Sequence, residues 1–165
     1  MSQGDDFSSD IEFSTMRGRD FPTICQFTVF LENRVGALNG LIRKFKMTRV
    51  RVMALSIIDS TECSIVRLIL SHPEQGRDIL ERAGVAMIES NLICVELHEV
   101  EQPLLEVCSA LLRAEVNLVQ TYPLMLQRCE RTLVAIMVDN IEFAQQTLAD
   151  EGFNMITENE LMDLS

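Results

Sequence analysis

Two stretches of the chain, about 68 residues apart, carry one signature: "LERAGVAMIES" opens at Leu80 and "LADEGFNMITE" at Leu148. Leu80 matches Leu148, Gly84 matches Gly152, Met87 matches Met155 and Ile88 matches Ile156. In each, a helical pattern stops at a glycine that can take the left-handed position past a helix end. A short apolar run follows. The period is longer than those of solenoids. A chain of 165 residues therefore has room for two copies of one unit and little else.

The rest of the pattern fills those copies. Residues 25–31 alternate, with Cys25, Phe27, Val29 and Leu31 on one side. Leu38, Leu41, Ile42 and Phe45 then fall at helical spacing. Arg43, Lys44 and Lys46 occupy the other faces of that helix and read as a solvated surface. Residues 50–58 and 63–70 read as strands around the polar turn Asp59-Ser60-Thr61-Glu62. Pro73 suits the first turn of a helix capped by Ser71 or His72 and ending at about Ala83. Residues 85–89 form a fourth strand. The second copy repeats the order. It has strands over 91–97, 116–124 (interrupted or ended near Pro123), 131–138 and 153–157, and helices over 103–113 and 141–151. The expectation is an α+β chain of two β-α-β-β-α-β units, residues 21–90 and 91–165, with paired antiparallel sheets. Residues 1–20 are rich in Ser, Asp and Gly without periodicity and are expected to be a flexible acidic arm.

Several strands are apolar on both faces. Ile65 and Ile69 alternate with Val66, Leu68 and Leu70, and residues 133–138 are apolar throughout. The helices of such a unit cover one sheet face only. The other face must be covered by the sister unit or by a second chain. Extensive pairing of the units and a homodimer are therefore expected. With 47% hydrophobic residues but no Trp and 5% aromatics, the core must be mostly Val, Ile, Leu and Met.

A formal net charge of −11 repels nucleic acids and anionic membrane surfaces. The third strands, "CSIVRLIL" and "RTLVAIMV", also lack the stacking aromatics of an RNA-recognition sheet. The opening "MSQGDDFSSD" is acidic and polar and does not read as a signal peptide, and no apolar run approaches the ~18 residues of a membrane span. A soluble cytoplasmic protein is expected. The five cysteines include no CxxC pair and lie in apolar runs, which suggests buried free thiols. No metal or cofactor is implied. His72 and His98 stand far apart, there is no GxSxG, Walker loop or HExxH, and two repeats leave no room for an enzyme domain. The chain reads as non-catalytic.

One loop stands out, in "FLENRVGALNGL" between the first strand and helix. Gly36 permits a positive φ and close approach of a ligand. Asn33 can cap the helix. The N–H groups of Val35, Gly36, Ala37 and Leu38 would then face outward at a positive helix end, which attracts a carboxylate. A plain capped turn without a ligand fits the same residues.

Strand, "ENRVGAL", helix resembles the ACT domain, a ferredoxin-like regulatory module that binds small effectors, mostly amino acids. The family loop Asp/Asn-x-Pro-Gly-x-Leu becomes Asn33, Arg34, Val35, Gly36, Ala37, Leu38, with Val35 in place of the proline. The family's Gly-x-Asn-Ile opening of strand 2 becomes Arg49, Val50, Arg51, Val52 in the first copy. In the second it becomes Glu115, Val116, Asn117, Leu118, which keeps the amide. The second copy's own loop, "HEVEQPLLEV", has no glycine. The resemblance implies an amino acid bound between paired units, by loop residues 33–38 with Asn33 or Asn117 meeting polar groups. Ser56 and Ile57, or Gln120 and Thr121, would line the side-chain pocket. The stretch "FTVFLENRVGALNGLIRKF" also resembles the opening of the acetolactate synthase small subunit. That implies an alternative role as regulatory subunit of an amino-acid biosynthetic enzyme.

Overall fold

A computed structural model describes residues 22–60 and 62–165. The expected acidic arm, residues 1–20, lies outside them, as does Thr61. The first unit comprises β1 (Ile24–Glu32), α1 (Ala37–Arg43), β2 (Val52–Asp59), β3 (Cys63–Leu70), α2 (Pro73–Arg82) and the start of β4 (Ala86–Glu96). The second continues through α3 (Pro103–Arg113), β5 (Leu118–Arg128), β6 (Arg131–Val138), α4 (Ile141–Asp150), β7 (Asn154–Ile156) and α5 (Glu158–Asp163). The duplicated β-α-β-β-α-β order is as expected, and Gly84 and Gly152 both take positive φ.

The fourth strand departs from expectation. Residues 85–89 and 91–97 read as two strands parted at Ser90, yet they form the single strand β4. Ser90 and Asn91 are polar but carry no turn-forming glycine or proline. Both stay in register with β1, opposite Gln26 and Cys25. The first part of β4 pairs with β1, and its last residues pair with β6 and β7. β4 thus belongs to two antiparallel sheets, β2-β3-β1-β4 and β5-β6-β4-β7. Pro123 interrupts its strand, one of the two outcomes expected there, without ending it. β5 is an edge strand, where a missing N–H is tolerated, and its register shifts between Pro123 and Gln127.

Three apolar clusters define the layers. Phe27, Val29, Val66, Leu68 and Leu80 form the helix side of the first unit, and Ile93, Val95, Ile136, Val107 and Leu148 that of the second. Between them Ile24, Met53, Ala54, Ile69 and Leu92 meet Leu124, Leu133, Ala135 and Ile156. The helix-free faces of the two sheets therefore pack on each other, with helices outside both. The sister unit covers the second apolar face, as the strand pattern required, though only in part. One polar knot sits in this seam: buried Gln26 accepts hydrogen bonds from Gln120 Nε2 (3.2 Å) and from the Tyr122 hydroxyl. Burial pushes the Tyr122 hydroxyl pKa up.

Helix α5 was not foreseen. Its signal, Thr157-x-x-Glu160, is a capping box, and both reciprocal bonds are present. α5 adds Leu161 to the seam, and Glu158 Oε1 accepts the Cys25 N–H at 2.9 Å. On the far side Gln145 Nε2 donates to the Pro22 carbonyl at 2.8 Å. The second unit thus holds the start of β1 at two points.

Not all cysteines are buried. Cys94 is; Cys25, Cys63 and Cys108 are half-buried, and Cys129 is exposed in the β5–β6 turn at φ 49°. Cys129 is flanked by Arg128 and Glu130, so its neighbours are charged rather than apolar, and a tight hairpin lifts its tip into solvent. Burial, aided by Glu89 and Glu158, pushes the Cys25 thiol up to about 12, and burial does the same for Cys94. A thiol reagent at neutral pH is expected to modify Cys129 first and Cys94 only on unfolding, as followed by peptide mass spectrometry. Among the described residues no helix is long and apolar enough to cross a membrane.

Candidate functional site

The loop after β1 is built by its own backbone. The Arg34 N–H donates to the Glu32 carbonyl (2.8 Å) and the Ala37 N–H to the Arg34 carbonyl (3.2 Å). Gly36 is the N-cap of α1 at φ 85°, ψ −4°, with no side-chain cap. Asn33 therefore does not cap the helix, contrary to expectation. Two consecutive turns already place α1, and the Asn33 amide is free to donate instead to the Ser60 carbonyl at 3.2 Å. It ties the loop to the β2–β3 hairpin. Of the four N–H groups expected to face outward, that of Ala37 is already taken.

Beside this loop lies a groove of about 540 Å³. Its walls are the end of β1, Arg34, Gly36 and Gly40 on one side and the turn from Ala83 to Ala86 on the other; Lys44 also lines it. A Cβ added at Gly36, Gly40 or Gly84 would meet nothing within 4 Å. The glycines thus leave the backbone open to a ligand. Arg34 is paired to Glu32 at 2.8 Å, but both are strongly exposed. Lys44 brings a second cation. The face assigned to solvent in the sequence is solvated and also borders the groove.

The second unit has an equivalent groove of about 660 Å³, lined by His98, Gln102, Glu106, Arg113, Glu151 and Phe153 among others. The His98 ring stacks on Phe153 at 4.4 Å, and its Nδ1 lies 3.0 Å from Glu106 Oε2. Arg113 Nη2 pairs with Glu151 at 2.7 Å. The Arg113–Glu151 ion pair and the His98–Glu106 contact line this groove, whereas the first has glycine walls. Sequence reasoning missed both grooves as cavities. Their second walls come from the α2–β4 and α4–β7 turns, the very stretches that carry the repeat signature.

The expected site residues do not all meet. Asn33, Arg34, Val35, Gly36, Ala37 and Leu38 share the loop, and Val35 is fully exposed. Ser56 and Ile57 lie on β2, a short way along the strand from Ser60, and as neighbours they point to opposite faces. Gln120 is in the seam, bonded to Gln26, six residues before Glu32 on β1 and thus about 20 Å from the loop. Thr121 is exposed on β5. Asn117 lies before β5, its N–H donating to Asp139 Oδ1 at 3.1 Å. One chain does not bring Asn117, Gln120 or Thr121 to the first loop. Among the described residues no cluster of three His, Cys, Asp or Glu side chains is placed to hold a metal.

Comparison with known proteins agrees with this architecture. A Bacteroides thetaiotaomicron protein superposes with a TM-score of 0.78 at 20% identity, over 86% of this chain and 97% of that one. The ligand-free regulatory subunit of aspartate kinase from Thermus thermophilus superposes with a TM-score of 0.54 at 11% identity, over 77% and 88%. That from Thermus flavus reaches 0.50 at 10% identity, over 78% and 91%. At such identities the likeness is one of fold. No curated protein matches the sequence. The profile described as ACT domain pair matches residues 22–165, so the duplicated unit, the β1–α1 loop and the paired sheets all fall within it. The chain belongs to the ACT domain pair family.

Proposed function

We propose that this chain is a non-catalytic regulatory module that binds a small amino acid, or a related carboxylate, at the loop over residues 33–38. The observation that carries the reading is the first groove, with Gly36 at φ 85° and Arg34 and Lys44 at its rim. The ligand carboxylate meets backbone N–H groups of the loop and the two cations. Membership of a family of effector-binding modules supports the amino-acid class. Binding shifts the population of chain arrangements by its differential affinity for them.

Calorimetric titration with each of the twenty amino acids tests this. One saturable isotherm is expected. Gly36→Val is expected to weaken that binding about tenfold or more. A β-branched residue does not sit at that φ without strain of ~1–3 kcal/mol, so the loop must rearrange. The open space at Gly36 leaves the rest of the fold intact. Twenty flat traces would overturn the reading.

A second reading makes the chain the regulatory subunit of a biosynthetic enzyme. It is favoured by the stretch over residues 27–45 and by the Thermus fold relatives, which are regulatory subunits of aspartate kinase. Affinity capture that recovers no such enzyme counts against it.

A further inference from the structure

The helix-free face of the first sheet is only half covered. The cross-strand register reads it out in rows. Ala54, Ile69 and Gln26 lie side by side and are buried against the second unit. The next row is Ser56, Arg67, Thr28 and Ile88, and the one after it Ile58, Ile65, Phe30 and Ala86. Here the cover stops: Ile58 is 45% and Ile88 57% exposed.

The repeat shows what such rows require. In the second unit Cys94, Ala135, Leu133 and Ile156 occupy the matching places, and all four are fully buried. The first unit and α5, through Leu161, cover them. The first unit has no such helix of its own, because its last strand runs straight on as β4. Positions that are core in one copy are thus left open in the other, where Ile58 and Ile88 stand beside Ser56, Arg67 and Thr28, continuous with the seam.

Charge says what fits there. Arg67 stands in the middle of the first open row and makes no ion pair or side-chain hydrogen bond among the described residues, in a chain of net charge −11. Two rows further on, on the same face, is Glu32, opposite Cys63. Its partner Arg34 is a strongly exposed loop residue. A two-fold axis running across the strands through the Ile65 and Phe30 row lays the first open row of one copy on the Glu32 row of the other. Arg67 then lies one strand away from Glu32 of the other copy, twice over and within reach of its side chain, and Ile58 and Ile65 each meet their own counterparts. The face is complementary to itself, as an isologous contact must be.

We propose that a second copy of this chain covers the open half of the first sheet, pairing Arg67 of each copy with Glu32 of the other. The contact extends the seam already present within the chain. It needs no ligand at the loop, although Glu32 also lines the first groove and pairs there with Arg34. The patch spans four strands and about three rows, which places it among small, reversible interfaces rather than obligate ones.

Sedimentation velocity on the full chain, from sub-micromolar to hundreds of micromolar, reads the dimer directly. Ile88→Glu is expected to abolish it without changing the circular dichroism or thermal midpoint, since Ile88 is exposed in the single chain. Arg67→Glu and Glu32→Arg are each expected to raise the dissociation constant about tenfold, and the double exchange to restore it. A chain that stays monomeric at every concentration overturns the proposal, whichever other occupant, residues 1–21 or a different protein, takes the face. A dimer indifferent to Ile88→Glu and to the charge exchange overturns it equally.

Discussion

Leu92→Ala is expected to remove about 3 kcal/mol of stability, within the 2–5 kcal/mol typical of large core truncations. Leu92 is fully buried at the middle of β4, opposite Ile24. Its side chain belongs to the seam cluster with Ile69 and Met53 of the first sheet and Leu133 and Ala135 of the second. A loss of that size is a large share of the ~5–15 kcal/mol of an ordinary domain. Because β4 is a strand of both sheets, the loss should be felt by both units at once. Urea unfolding followed by circular dichroism should show one transition, displaced to lower denaturant with an unchanged slope. Two resolved transitions, only one of them displaced, would show instead that the units unfold separately.

Glu96→Ala should rank next, at about 2–3 kcal/mol. Glu96 ends β4 and is only 7% exposed. Its carboxylate accepts from Arg131 Nη1 at 3.0 Å and from Asn154 Nδ2 at 3.1 Å, and Arg128 Nη1 approaches to 3.9 Å. Arg128 Nη1 is itself buried. It lies 3.1 Å from Glu160 Oε1 but is misaligned for a hydrogen bond. Removing the carboxylate leaves the Asn154 amide without its acceptor and takes one carboxylate from each guanidinium, Arg131 keeping Glu99 at 3.3 Å and Arg128 keeping Glu160. Removing one partner of a buried pair costs ~3–5 kcal/mol. The arginines are 30% and 41% exposed and recover part of that by hydration, which sets the lower figure. Glu96→Gln keeps the shape and one acceptor and should cost less. Equal stability of the Ala variant and the parent in urea would show that the cluster adds nothing net.

What was legible in the sequence was whatever the hydrophobic period and the glycines state locally. Phe27, Val29 and Leu31 mark the helix side of β1, and Leu80 with Gly84 marks the end of α2, because both depend on neighbours in the chain. The demand that the second sheet face be covered was legible too, since Val66 and Ile69 cannot both be buried by one layer of helices. Positions set by distant partners were not legible. The Asn33 amide had a local role open to it as a cap and took a remote one, at Ser60. Gln120 looked like a pocket residue and is held in the seam by Gln26, 94 residues away in sequence. Ser90 and Asn91 looked like a break because polar residues often punctuate strands. Only their pairing with β1 shows that the strand runs on. The groove walls escaped for the same reason: each is made where the two ends of a unit meet.

The continuity of β4 has one more consequence. Along it the odd-numbered residues Met87, Ile93 and Val95 turn toward the helices, and the even-numbered Leu92 and Cys94 turn toward the seam. The two copies therefore share one parity, with no linker between them to absorb an error. A single residue inserted at the joint, between Ser90 and Asn91, would invert the entire second half of the strand. Leu92 and Cys94 would exchange sides with Ile93 and Val95, and neither sheet could correct it alone. Change at that joint is admissible only in steps of two residues.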